Sequence, residues 1–224
     1  GPAYDNVQPE LMFRDAATFN YSDSTVVAGP GMGDSATAMR VLAGVLEGDS
    51  PLVLDADALN LIAASPDLQA RLSARHAPSI LTPHPLEAAR LLGMTAGVVQ
   101  GDRLEAAREI AARFDAHVVL KGSGTVIAMP DGEAAINPTG NPGLATAGTG
   151  DVLAGLCGSL LAQGWPARDA ALAAVWMHGE AADRLVADGA GPIGLTAGEL
   201  PAAIRLVLNQ MVAQRPKRGG QPQS

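Results

Sequence analysis

Residues 25–55 read TVVAGPGMGDSATAMRVLAGVLEGDSPLVLD, and this stretch decides the fold. TVVAG (Thr25–Gly29) is a short, uniformly apolar run that ends in glycine. Met39, Leu42, Ala43 and Leu46 then recur at the spacing of one helix face, and a second apolar run, PLVLD (Pro51–Asp55), follows. Apolar strands without alternation, joined through helices, belong to a parallel sheet covered on both faces.

The same unit repeats outward. ALNLIAA after Asp55 is helical, and SILT (Ser79–Thr82) is a strand followed by the helix LEAARLLG, which ends at Gly93. DRLEAAREIAARF (Asp102–Phe114) is a helix with Asp102 as N-cap and Glu105 in the capping-box position. HVVLKG and TVIAMPDGEAAIN are strands, the second a hairpin turning at PDGE. After Asn137 the pattern is nearly all helical, over 150–163, 167–187 and 199–212. The expectation is an α/β fold with a mostly parallel central sheet and helices on both faces, one domain over 1–213 and a disordered polar tail over 214–224.

Composition sets limits on function. The chain has 224 residues, a net charge of −8, 47% apolar residues and only 3% aromatics, so its core is built from Ala, Val, Leu and Ile. The acidic balance argues against a nucleic-acid binder, which shows a basic face. It leaves a nucleotide ligand open, because backbone amides hold phosphates without surface charge. The lone Cys157, within an apolar helical pattern, allows no internal disulfide and favours a reducing, cytoplasmic setting. No run approaches the roughly 18 apolar residues of a membrane span, so no membrane partner is expected.

In an open parallel sheet, ligands sit beyond the carboxyl ends of the strands. Every unusual loop here falls there. GPGMGDS (Gly29–Ser35) has the setting of a phosphate loop without the spacing of a dinucleotide or Walker motif; it is either a phosphate site or a turn capping the next helix. In DADALN (Asp55–Asn60), Asp55 and Asp57 either lean together to hold a cation near a polyphosphate, or Asp57 caps the following helix. TPHP (Thr82–Pro85) fixes His84 between two prolines, aimed at a ligand or packed over a helix start. KGSGT (Lys121–Thr125) offers amides, two hydroxyls and an ammonium to phosphate or ribose oxygens, or is a plain turn. His76, His117 and His178 have no metal-ligand spacing and read as structural, with no zinc site.

GLATAGTGDV (Gly143–Val152) is the most specific piece. Gly148 and Gly150 let the backbone close on a ligand, and the amides of a helix start attract anions. Asp151 sits in that mouth either as a cap or as a base that takes a proton from a hydroxyl about to react.

GPGMG, LDADALN, LTPHPLEAARLLG, VVLKGSGT and NPTGNPGLATAGTGDVLAG stand in the order found in the ADP/ATP-dependent NAD(P)H-hydrate dehydratases, which the chain resembles from about Pro9 to about Val207. The resemblance implies a ribokinase-like fold and repair of hydrated NADH or NADPH: a nucleoside phosphate activates the C6 hydroxyl, which leaves as phosphate. It implies Asp151 as catalytic base. Lys121, Gly122, Ser123, Gly124 and Thr125, with Gly148, Thr149 and Gly150, form the implied nucleotide site for ADP or ATP with Mg2+. Gly29, Gly31, Asp55, Asp57, Asn60, His84, Glu87 and Asn141, beside Asp151, form the implied substrate set.

It further implies a homotetramer and, in some relatives, fusion to an NAD(P)HX epimerase. Three departures stand out. Leu86 and Ala147 replace glycines usual in the family, and the strand–loop–helix stretch that normally precedes the segment matching Pro9 is not in this sequence. Two other readings use the same loops: a ribokinase-like kinase of a small alcohol such as a vitamin precursor, and a nucleotide-binding module without turnover.

Overall fold

A computed structural model describes residues 4–214. One six-stranded sheet runs β1 (Val26–Ala28), β2 (Leu52–Leu54), β3 (Ser79–Leu81), β4 (His117–Leu120), β5 (Val126–Ala128) and β6 (Ala134–Ile136), each strand beside the next in sequence. The first four are mutually parallel, and β5 and β6 add antiparallel at one edge as the expected hairpin. At the other edge β1 is open on one side, and Val27 there is 39% exposed.

Helices α1 (Ala36–Glu47), α2 (Ala56–Ala64), α3 (Pro66–Ser73), α4 (Pro85–Leu92), α5 (Ala96–Gly101) and α6 (Arg103–Phe114) connect the parallel strands. Helices α7 (Thr149–Ala162), α8 (Ala167–Ala187) and α9 (Leu200–Ala213) follow the hairpin. Strand side chains alternate faces and so divide the interior in two. Leu52, Leu54, Leu81, Val118 and Leu120 pack against α1–α6, while Val53, Ile80, Val119 and Ile127 pack against α7–α9. Helices therefore cover both faces, as the unalternating strands require.

The sequence pattern missed α3 and α5. Each is too short to show a period, but each begins on a capping side chain: Ser65 accepts from Leu68 N, and Thr95 accepts from Val98 N. Asp102 caps α6 as expected, accepting from Glu105 N. The tail expected to be disordered lies, apart from Gln214, outside the described residues.

One buried cation secures the α1 side. Arg75 is 8% exposed and directs its guanidinium at the chain between α1 and β2. Its Nη1 donates to the carbonyls of Val45, Leu46 and Gly48 at 3.0, 3.0 and 2.5 Å, and its Nη2 to Ser50 O at 2.5 Å. Val45 and Leu46 lie in the last turn of α1, whose carbonyls lack the usual partner four residues on, and Gly48 and Ser50 lie in the turn that follows. Truncating Arg75 to Met strands these carbonyls in the interior. Urea unfolding of Arg75→Met is expected to show a loss of about 2–4 kcal/mol.

Candidate active site

The rim at the carboxyl ends of the parallel strands is stitched by backbone hydrogen bonds. Asp55 N donates to Ala28 O at 3.1 Å, Thr82 N to Leu54 O at 3.0 Å, and Lys121 N to Pro83 O at 2.8 Å. Each loop is thus hung on its neighbour before any side chain acts. Ala56, the residue after Asp55, has φ +48, a left-handed conformation that costs a non-glycine residue about 1–3 kcal/mol. This turn accompanies the inward placement of the Asp55 side chain, which is 1% exposed.

Inside the rim, Lys121 Nζ lies 2.6 Å from Asp55 Oδ1. The start of α7 comes down over the pair: a Cβ built on Gly150 would stand 3.4 Å from Lys121 Nζ and 3.9 Å from Asp55 Oδ2. The N-cap of α7 is Gly148, with φ +86 and no side-chain cap. Asp151 lies in the first turn, is exposed, and accepts no hydrogen bond among the described residues. Its carboxylate does not cap, so of the two readings of this residue the capping one fails. The positive end of α7 thus rests against the Lys121 ammonium at Gly150, and the next residue in the chain carries the uncommitted carboxylate.

A cavity of about 660 Å³ opens beside this point. The Lys121–Thr125 loop, His84, Asn141, Thr149 and Gly150 line it, together with Asn137, Thr139, His178 and Gly179. The last four were not anticipated. Gly179 was the available signal, a glycine inside a helical run that asks for a packing reason. A Cβ there would lie 2.2 Å from Thr139 Oγ1 and 2.9 Å from Gly140 N, so the 139–141 loop rests directly on α8. Asp183, also on α8, holds that loop by accepting from Gly140 N at 2.8 Å and Asn141 Nδ2 at 2.9 Å. His178 Nε2 donates to Thr149 O at 3.0 Å, and burial lowers its pKa to about 4, so the ring is neutral.

The remaining candidates are spent on structure or lie apart. Asp57 does not cap α2. It accepts from Gly33 N at 2.8 Å and ties α2 to the GPGMG loop. With Asp55 paired to Lys121, the two carboxylates form no cation site, and the described residues contain no cluster of three or more His, Cys, Asp or Glu side chains able to hold a metal. Asn60 Oδ1 accepts from Arg90 Nη1 at 2.5 Å. Glu87 is buried and closes a capping box with His84: Glu87 Oε2 accepts from His84 N at 2.8 Å, and His84 Nδ1 accepts from Leu86 N and Glu87 N at 3.1 Å.

His84 thus caps α4, as the packing reading holds, while also lining the cavity. Thr149 Oγ1 donates to Leu144 O and Thr146 O, its N–H donates to Thr146 O at 3.4 Å and its carbonyl accepts from His178, so Thr149 shapes the start of α7 with its polar groups committed to protein. Gly29 lets its loop cross the Asp55 carbonyl, which a Cβ would meet at 1.7 Å. Gly31 is open; Gly29, Gly31, Asp57 and Asn60 lie outside the cavity lining, on the rim towards β1, and Asp55, Glu87, Gly148 and Asp151 are not among the lining residues either. Cys157 is fully buried, with its thiol pushed up to about 12 by burial, and is inert.

Parallel strands, glycine loops on one rim and a helix start without a side-chain cap define a nucleotide-using enzyme of ribokinase-like fold. A family model described as NAD(P)H-hydrate dehydratase matches residues 6–205, and the chain belongs to that family. It is 49% identical over 208 residues to the ADP-dependent (S)-NAD(P)H-hydrate dehydratase of Neisseria meningitidis serogroup B, covering 91% of this chain and 70% of that one. It is 41% identical to the bifunctional NAD(P)H-hydrate repair enzyme of Coxiella burnetii, covering 93% of this chain but 42% of the longer protein. The ADP/ATP-dependent NAD(P)H-hydrate dehydratase from Bacillus subtilis, co-crystallised with ATP/Mg2+, superimposes with a TM-score of 0.72 at 34% identity, covering 84% of this chain and 68% of that one.

The buried imidazole makes the fold acid-sensitive. A histidine whose pKa is 6.5 when unfolded and about 4 when folded binds its proton only in the unfolded state over that interval. Its contribution favours folding above pH 6.5 and is lost as pH falls from 6.5 towards 4, on the order of 3 kcal/mol in all. Chemical unfolding at pH 7 and pH 5 should therefore show a larger acid loss for the wild type than for His178→Gln.

Proposed function

We propose that this protein dehydrates hydrated NADH and NADPH, using ADP or ATP to activate the C6 hydroxyl of the damaged ring. The observation that carries the reading is the start of α7, where the Asp151 carboxylate is uncommitted and Gly150 lies over Lys121. Asp151 accepts the hydroxyl proton as the C6 oxygen attacks the terminal phosphorus of the nucleotide. The shortened nucleotide leaves, the C6–O bond then breaks with phosphate as the leaving group, and a proton lost from C5 gives the C5=C6 bond that restores the dihydronicotinamide. The amides of the helix start and the Lys121 ammonium balance the charge that develops on the transferred group.

The Lys121–Thr125 loop with Gly148, Thr149 and Gly150 holds the nucleotide in this reading. His84, Asn141 and the Gly29–Gly31 rim face the hydrated dinucleotide, with Asp55, Asp57, Asn60 and Glu87 setting the shape of those loops. Mg2+ fits as a cation that would arrive on the phosphates: Asp55 is paired with Lys121 and Asp57 with Gly33, so phosphate oxygens and water would supply its ligands. It would offset phosphate charge there.

A small-alcohol kinase would use the same carboxylate. The 49% and 34% identities to dehydratases favour dehydration. Family resemblance supports a homotetramer in the cytoplasm, and the bifunctional relatives support joint action with an epimerase. Among the described residues, no helix is long and apolar enough to cross a membrane.

Asp151→Asn removes the proton acceptor and, since Asp151 makes no capping bond, leaves the helix start intact. Turnover is expected to fall by about 10²–10⁴ while ADP affinity and melting temperature stay close to wild type. Near-normal turnover would remove Asp151 from the chemistry. A large fall in melting temperature with modest loss of rate would make it a structural residue.

A further inference from the structure

The nucleotide loop has a support that no motif revealed. Arg103 opens α6, and its side chain reaches behind the Lys121–Thr125 loop. Nη1 donates to Ser123 O at 2.6 Å, and Nη2 donates to Leu120 O at 3.0 Å and Lys121 O at 3.2 Å. The last carbonyl of β4 and two carbonyls of the loop that follows thus converge on one guanidinium. The contact is close enough to dictate the residue between them: a Cβ on Gly122, whose φ is +142, would lie 2.8 Å from Arg103 Nη2 and 3.1 Å from Cζ. Arg103 Nε is buried without a partner. A guanidinium settling for its own comfort would satisfy that donor. Here the fork is held by its tips, and such an exception asks for a reason outside folding.

The reason lies in peptide geometry. In a trans peptide the N–H of one residue points opposite to the C=O of the residue before it. The 121–122 and 123–124 peptides are trans, because the one cis bond of the described chain is Gly191–Pro192. With the Lys121 and Ser123 carbonyls drawn onto Arg103, the N–H groups of Gly122 and Gly124 are turned the other way. Both glycines line the cavity, whereas Arg103 does not. Neither N–H has a protein acceptor among the described residues, whereas Lys121 N is taken by Pro83 O.

We propose that Arg103 is a positioning residue of the nucleotide site: its fork on the Leu120, Lys121 and Ser123 carbonyls turns the Gly122 and Gly124 amides into the cavity as a nest for an oxyanion of the nucleotide. This rests on the reading of the cavity as a nucleotide site. It adds that the selectivity of the loop for an anion is set from behind, by a side chain that never touches the ligand. Successive amides aimed at one point bind anions well only when held there beforehand. A lysine carries the same charge but cannot span three carbonyls with a planar fork.

The test uses ADP as probe with wild type, Arg103→Lys and Arg103→Met, each checked for folding by circular dichroism and melting temperature. Calorimetry gives ADP affinity, and steady-state kinetics gives KM for nucleotide and for hydrated NADPH separately. Both variants are expected to lose about tenfold or more in ADP affinity, with nucleotide KM rising in step and KM for hydrated NADPH changing less than about threefold. Should Met fail to fold, Lys, which retains charge and stem, decides alone. Wild-type affinity in folded Arg103→Lys overturns the proposal, as does an equal rise in both KM values, which would mark general loosening. Failure of the wild type to bind ADP overturns the nucleotide-site reading and this proposal with it.

Discussion

The site depends on one ion pair. Asp55 and Lys121 are 66 residues apart in sequence, at the ends of two strands separated by β3, and meet at 2.6 Å with the carboxylate almost wholly shut off from water. A charge so buried is tolerable only when paired, and removing one partner of such a pair typically costs about 3–5 kcal/mol. The pair therefore fixes the spacing of the β2 and β4 loops more firmly than loop backbone alone. It also places an ammonium beneath the glycine turn of α7. A bulkier residue at position 150 would press on that ammonium. The sheet brings the loops to one rim, and the pair makes them one site.

Around that centre the polar groups divide into two kinds. Glu87, Asp57, Asp183, Thr149 and His178 are committed to backbone partners that hold loops in place. The Asp151 carboxylate and the amides of Gly150, Asp151, Gly122 and Gly124 have no protein partner among the described residues. Gly122, Gly124 and Gly150 line the cavity, and Asp151 follows directly after Gly150; rigid, internally satisfied supports beside such unsatisfied groups are an arrangement able to stabilise charge in a transition state without reorganising at the moment of reaction. The burial that keeps His178 neutral belongs to the same design, since a cation there would compete with Lys121 for the incoming anion.

The sequence made the α/β architecture legible because its strands are buried on both faces and its helices carry strong periods and caps. Three of the five rim loops, GPGMGDS, KGSGT and GLATAGTGDV, were legible because positive-φ turns demand glycine. Hydrogen-bond partners were harder to read. Asp57 and His84 each sit where a local capping rule and a ligand-binding rule predict the same residue type, and only the folded contacts separate them. Arg103, Asp183 and His178 act on loops 17 to 43 residues away through backbone carbonyls and amides, which leave no trace in the identity of the residues they hold. Gly179 came nearest to giving such a contact away.

The carbonyl-anchored loop, the ion pair and the free carboxylate would serve phosphoryl transfer to any well-placed hydroxyl. What separates a dehydratase from a kinase is the fate of the phosphate. The decisive measurement incubates the protein with hydrated NADPH and ADP and follows dihydronicotinamide absorbance and free orthophosphate together. One orthophosphate released for each dihydronicotinamide restored, with AMP as the remaining product, is the predicted balance. A phosphorylated product that accumulates while absorbance stays flat would contradict it.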